Sequence, residues 1–468
     1  MKQYEEYMES NLKWLGKIPS HWELLNVKAL FIERKEKNTP QKTDFVLSLT
    51  AKQGVIPYSE KTGGGNKAKE DVTLYNITYP GDLLVNCMNV VSGSSGVSTY
   101  YGAISPVYYA LFPRDEHTNI WYYSYIFRLS LFYQSLVGLG NGIMMRQSST
   151  GKLNTVRKRI PMNKLNRIQL PKPPHDEQNQ IVRFLNWKVS EVNHIIRAKR
   201  KEIRLLEELK KSVITKAVTQ GIDNNVDLKV GKFTWGWKIP TSWDEVKLKR
   251  ILIKLDRPYT SEDELLICSN NGTVFPRGDK RIGLVAANDD VYQGVAEGDL
   301  LIHGMDTWHG AIAISNYSGK CTTVVHVCDS SQNKRFIAYY LRMMAFRKLY
   351  KAISNGVRQN TSDFRSWNKT GDIVIALPPR PEQDRIADYL DQRCGEIDNL
   401  ILSLKNEISH LDEYRTRMIA DVVTGKVDVR NIEVPDQKIE GDNEPEDEDS
   451  ENEFENTDEM EVIENDSD

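Results

Sequence analysis

Two stretches of this chain carry apolar residues at alternating spacings of four and three, the pattern of a helix that lays one stripe against a partner. In the first stretch the seam runs through Leu185, Val189, Val192, Ile196, Lys199, Ile203, Leu206, Lys210, Val213 and Ala217, eight of ten apolar. In the second it runs through Leu390, Cys394, Ile397, Ile401, Leu404, Ile408, Leu411, Arg415, Met418 and Val422, nine of ten apolar when Cys is counted. A seam sustained over nearly five heptads wants a partner helix, and the other stretch of the same chain is the nearest candidate. A helix of about 40 residues is roughly 60 Å long at 1.5 Å per residue. Two of them paired antiparallel would hold whatever lies at their ends well apart.

Ahead of each seam the pattern shortens. The runs "DFVLSL", "GDLLVN" and "VYYALF", then "ELLICS", "GDLLIH" and "TTVVHV", are bounded by Gly, Pro and Asn and read as strands. One helix is expected near Asn119 to Val137 and its counterpart near Asn333 to Ile353. The expected fold class is therefore α+β. Two tandem α/β domains are separated by two long helices that pair as an antiparallel coiled coil. The expected divisions are a first domain at 1–171, a helix at 172–222, a second domain at 223–376, a helix at 377–428 and a tail at 429–468.

The two halves also match position by position. Ile18-Pro19 with Trp22 stands 221 residues before Ile239-Pro240 with Trp243. "GDLLVN" from Gly81 and "GDLLIH" from Gly298 are 217 apart, Tyr125 and Arg128 precede Tyr339 and Arg342 by 214, and Glu177-Gln178 precedes Glu382-Gln383 by 205. The order never breaks and the offset only falls, which describes a pseudo-twofold internal duplication with a trimmed second copy. Each long helix starts from a proline cluster, "PKPPHDEQ" or "PPRPEQ". Proline suits a first helical turn, the acids beside it favour the positive end of the helix dipole, and the prolines before it keep the entering chain extended.

Charge sharpens the picture. The whole chain has formal net charge -3, but its last thirty residues hold sixteen acids and no Lys or Arg, so the rest stands at +13. A body with that surplus suits a polyanionic partner. The acidic tail has too few apolar residues to support a core and is expected to be disordered. No apolar run is long enough to span a bilayer, and the first thirty residues lack a signal-peptide core, so a soluble, cytoplasmic protein without a membrane role is expected. Five scattered cysteines, without a CxxC pair, suggest neither a disulfide framework nor a ribbon-type zinc site.

The proline cluster and Glu-Gln leading into a heptad helix occur twice, each time after a domain with a "GDLL" turn and an "NG…RQ" segment. In this combination the chain, from about Trp14 to Val427, resembles the specificity subunits of type I restriction-modification systems. The resemblance implies two target recognition domains, each reading one half of a bipartite, asymmetric site in double-stranded DNA, with the paired helices setting the distance between them. It implies as partners two modification subunits, which bring S-adenosylmethionine and methylate adenine, and restriction subunits, which use ATP and Mg to cut. No cofactor is implied for this chain. The acidic tail departs from the family pattern.

Residue chemistry agrees with a non-catalytic, DNA-reading role. Phosphates are met by Lys and Arg, and base edges by Arg, Gln and Asn. Arg146, Gln147, Ser148, Lys152, Arg157, Lys158 and Arg159 in the first copy, and Arg358, Gln359, Asn360 and Arg365 in the second, place those types at matching positions. The competing reading is that these residues anchor the segment to its own domain. "GLGNG" (Gly138 to Gly142) follows a helix-like run and not a strand, and "TGGGNK" (Thr62 to Lys67) lacks the Lys-Ser/Thr of a phosphate loop. His303, His309, Cys321, His326 and Cys328 fit no standard zinc spacing, and Asn86 stands opposite His303 in the repeat. Two alternatives from other classes stay open at this point: a self-contained restriction or methylation enzyme with two recognition domains, and a coiled-coil adaptor that binds only protein.

Overall fold

A computed structural model describes residues 2–51, 53–61, 71–88, 93–139, 146–147, 153–154, 159–232, 236–278, 292–353 and 364–435. The chain forms two compact units. Among the described residues, the first holds 2–197 with 407–435 and the second holds 198–406. Each long helix, His175–Gln220 and Arg380–Val423, thus contributes one stretch to each unit.

The first unit is built on a four-stranded antiparallel sheet in the order Phe31–Arg34, Tyr108–Pro113, Leu83–Asn86, Ser95–Val97. Its "GDLL" strand is apolar on both faces because both are covered, and Leu83, Leu84 and Val85 are fully buried. A second sheet runs Gly54–Pro57, Val46–Thr50, Gly102–Ile104, Asn76–Thr78. Gln169–Lys172 pairs with Glu23–Asn26 immediately before the first long helix. The core centres on Trp22, Tyr122, Phe127, Phe132 and Phe184, and Met418, Val422 and Val423 of the second long helix close it.

The second unit repeats that order, with Ile253–Lys254, Val325–Asp329, Leu300–His303 and Ile312–Ile314. Asp244–Lys247 pairs with Val374–Leu377 just before the second long helix. Trp243, Phe336, Tyr340 and Leu390 form its core, closed by Ile214, Ala217 and Val218 of the first long helix.

The expected helix from Asn119 to Val137 is two helices, Ile120–Arg128 and Ser130–Ser135, because Leu129 turns extended and enters the core. Its counterpart also divides, into Lys334–Phe346 and Leu349–Ile353, at Lys348, whose φ of 58° is left-handed. Asn119 and Asn333 cap the longer helices by accepting backbone N–H bonds.

Candidate nucleic-acid interface

The Gln of each Glu-Gln pair is a clamp. Gln178 is buried, accepts from the Asn119 backbone N–H at 2.9 Å, and donates to the carbonyls of Pro173 at 2.8 Å and His117 at 3.2 Å. Gln383 accepts from the Asn333 N–H at 3.0 Å and donates to Pro378 O and Gln332 Oε1, both at 2.8 Å. In both units the capping Asn also donates its side-chain amide to the next residue of the long helix, Asn179 or Asp384. Tyr125 and Tyr339 bond the same helix two turns on, at Asn186 and Asp391, each at 2.8 Å. The domain helix and the long helix are thereby fixed to each other inside each unit.

The Glu of the pair behaves differently in the two units. Glu177 is buried and accepts from Tyr4 Oη at 2.6 Å and Trp22 Nε1 at 3.0 Å, with His21 Nε2 at 2.8 Å. Burial and the Glu177 bond push the Tyr4 phenol far above its ordinary value, so it stays a donor. In the second unit Ser242 replaces His21, and the buried Trp243 Nε1 has no hydrogen-bond partner among the described residues.

Asp82 and Asp299 of the "GDLL" turns are buried and paired to arginines on the preceding edge strand and the loop after its counterpart. Arg34 meets both oxygens of Asp82 at 2.8 and 3.0 Å, and Arg257 meets both of Asp299 at 3.1 Å. Arg34 also lies over the rings of Tyr79 and Phe112, and the Asp82 bond holds its guanidinium above the usual value.

Of the residues expected to read DNA, Ser148, Lys152, Arg157, Lys158, Arg358, Gln359 and Asn360 lie outside the described residues. Arg146 and Gln147 are described in backbone only, paired with Asn154 and Leu153. Arg159 and Arg365 are described and exposed. Arg159 stands where its segment returns to the sheet, and hydrogen bonding to the Tyr109 hydroxyl raises its guanidinium above the ordinary value. Arg365 occupies the corresponding return in the second unit, next to the buried Phe364.

Both returns are held from one strand position. Tyr108 faces Asn86 across the sheet and Val325 faces His303, so Tyr109 and His326 are equivalent. The Tyr109 hydroxyl donates to Ile160 O at 3.0 Å, and Ile160 N–H donates to Cys87 O. His326 Nε2 donates to Phe364 O at 2.7 Å, and Thr370 Oγ1 donates to the same carbonyl at 2.9 Å. A carbonyl can only accept, which assigns the proton to Nε2 and leaves Nδ1 bare. Sequence reasoning passed over Tyr109 and weighed His326 only as a metal ligand. The offset of 217 that aligns the "GDLL" strands was the signal, since it also aligns Tyr109 with His326.

No group of three or more His, Cys, Asp or Glu among the described residues is placed to hold a metal. His303 instead sits 3.3 Å from Asp306. All five cysteines are free and buried, and burial pushes the thiols of Cys268, Cys321 and Cys328 up to about 12. No helix among the described residues is long and apolar enough to cross a membrane.

No protein-family model matches the chain. Two proteins of Methanocaldococcus jannaschii match it nearly end to end. One, named as the type I restriction enzyme MjaX specificity subunit, is 24% identical over 91% of this chain and 98% of its own length. The other, the type I restriction enzyme MjaVIII specificity subunit, is 22% identical over the same shares. Over almost its whole length the chain is thus similar to proteins named as type I restriction specificity subunits. A solved chain, from work on complex assembly and conformational transition of the type I restriction-modification system, shares its fold. It superposes with a TM-score of 0.63 at 13% identity, over 88% of this chain and 99% of that one.

Proposed function

We propose that this chain is the non-catalytic, sequence-specific DNA-recognition subunit of a type I restriction-modification complex. Its near end-to-end similarity to two specificity subunits carries the reading. Each unit reads one half of a bipartite target in double-stranded DNA, through the segments containing Arg146, Gln147 and Arg159 and containing Arg358, Gln359 and Arg365. The two halves differ in sequence because these segments have diverged. Two modification subunits and the restriction subunits dock on the same body, and S-adenosylmethionine, ATP and Mg belong to them.

On this reading the chain is a duplication whose long helices pair antiparallel as a spacer. Two contacts, each inside its own unit, support the pairing. Arg415 donates to Asn193 in the first unit, and Lys210 donates to Asp398 at 2.6 Å in the second. Moving forward from Asn193 to Lys210 moves the partner back from Arg415 to Asp398 by the same number of residues. The common strand order of the two sheets and the two matching Gln clamps support the duplication.

Long-read sequencing of host DNA with and without the gene tests the reading. A bipartite adenine-methylation motif with two unlike halves is expected to disappear on deletion. An unchanged methylation pattern would overturn it.

A further inference from the structure

We propose that Tyr109 and His326 are positioning residues for sequence reading: each pins, from the same strand position of its unit, the downstream end of the segment that reads one half of the target. The inference rests on the DNA-reading role proposed above. The two side chains share neither size nor chemistry, yet each delivers one hydrogen bond to a buried backbone carbonyl at the return of its segment. A phenol in one unit and an imidazole in the other means that the bond, not the residue type, is what the two units have in common.

The surroundings of each bond are built to hold that return in one place. In the first unit the Ile160 N–H is fixed to Cys87 O, so both backbone groups of Ile160 are taken and the residue is buried. In the second unit Thr370 adds a second donor to Phe364 O, Trp367 packs its ring 5.4 Å from that of His326, and Tyr350 packs 5.3 Å from Phe364. Position 304 is the equivalent of Cys87, and there the backbone itself closes in. A Cβ on Gly304 would lie 2.9 Å from Arg365 Cα, Phe364 O and Val324 O. Glycine is what lets the returning chain lie against the strand end.

Arg159 and Arg365 stand next to the pinned carbonyls, one residue before Ile160 and one after Phe364. Base-edge recognition depends on a few tenths of an ångström in donor placement, because hydrogen bonds weaken steeply with distance and angle. Freeing one end therefore degrades the choice of bases in one half of the target and leaves the other half as it was.

The test replaces the gene in its host with single variants and reads adenine methylation at sites that match the motif or depart from it in one half. Tyr109→Phe, which removes one hydroxyl, is expected to raise methylation at sites mismatched in one half by at least about threefold, the scale of one lost hydrogen bond. His326→Phe is expected to do the same in the opposite half, and His326→Gln, which keeps an N–H donor, to restore discrimination in large part. If His326→Phe does not accumulate as folded protein, Thr370→Val, which keeps the imidazole and removes the second donor, decides for that unit with the same expectation. Unchanged stringency in both halves, or a uniform fall in methylation without a change of motif, would overturn the inference and leave these residues a purely structural role. A wild-type chain that supports no bipartite motif would instead overturn the DNA-reading role and the inference with it.

Discussion

A carboxylate withdrawn from water is held only if charge and donors meet it there, and Asp82 has both in Arg34 and the Tyr79 N–H. Truncating it leaves the Arg34 guanidinium half-buried between two aromatic rings without its counter-charge. Asp82→Ala is expected to cost about 3–5 kcal/mol in denaturant unfolding of the first unit. Asp299→Ala is expected to cost less, because Arg257 is more exposed than Arg34 and water can take over part of its solvation. The "GDLL" strands were legible from their apolar run, but the role of the Asp was not. Its partner lies 48 residues upstream in one unit and 42 in the other, and no local spacing rule connects them. The buried histidines make a second prediction at this scale. Burial depresses both His303 and His326 below the ordinary 6.5, so neither charges readily in the folded unit. The unfolded chain takes up those protons first as pH falls through 6.5. The second unit should therefore lose stability below that pH, by up to about 1.4 kcal/mol per pH unit for each group until the folded values are passed. Thermal unfolding of His326→Gln as a function of pH should show a shallower acid slope than the wild type.

At the scale of elements, the two Gln clamps decide how a domain hands over to a long helix. The periodicity, the prolines and the acids are local signals that put the helix starts at 172 and 377, and the helices begin three residues on, at His175 and Arg380. The Gln beside each Glu was marked only by its repetition, since besides the carbonyl five residues back it bonds the cap of a helix about 60 or 50 residues earlier. Gln383→Ala would leave the Asn333 N–H and the Pro378 carbonyl buried without partners, a loss of about 1–3 kcal/mol. Faster hydrogen exchange confined to the start of Lys334–Phe346 is the expected signature, and protection there equal to wild type would show that the clamp is dispensable. The helix break at Leu129 shows where pattern reading stops. No Gly or Pro marks it, and the chain turns because the core takes the leucine. The left-handed glycines that end the long helices, Gly221 and Gly425, are better marked. At Gly425 a Cβ would also strike Pro19 and Trp22, so a substitution there disturbs the first unit as well as the helix end.

At the scale of the whole molecule, charge and length set what the chain can do with DNA. Truncation before Ile439 removes sixteen acids and shifts the formal charge from -3 to +13. Duplex binding by the truncated chain is expected to be tighter at low salt, with the advantage over the full chain vanishing toward 1 M, where the Debye length is about 3 Å. Equal affinity at low salt would mean that the tail does not screen the basic body. Length makes the sharper claim, because the proposed pairing turns helix residues into base pairs. One heptad added to each long helix keeps the apolar seam in phase and lengthens an antiparallel pair by about 10 Å at 1.5 Å per residue. That distance corresponds to roughly three base pairs at about 3.4 Å each. The methylated motif should keep both half-sites unchanged and widen the spacer between them by about that number. A heptad added to one helix alone offsets the seam against its partner, exposes apolar positions, and should abolish methylation without creating a new spacer. A doubly extended chain that still directs methylation to the original motif would separate the spacer from the helices, and the distance between half-sites would then have to be set by the DNA-reading segments themselves.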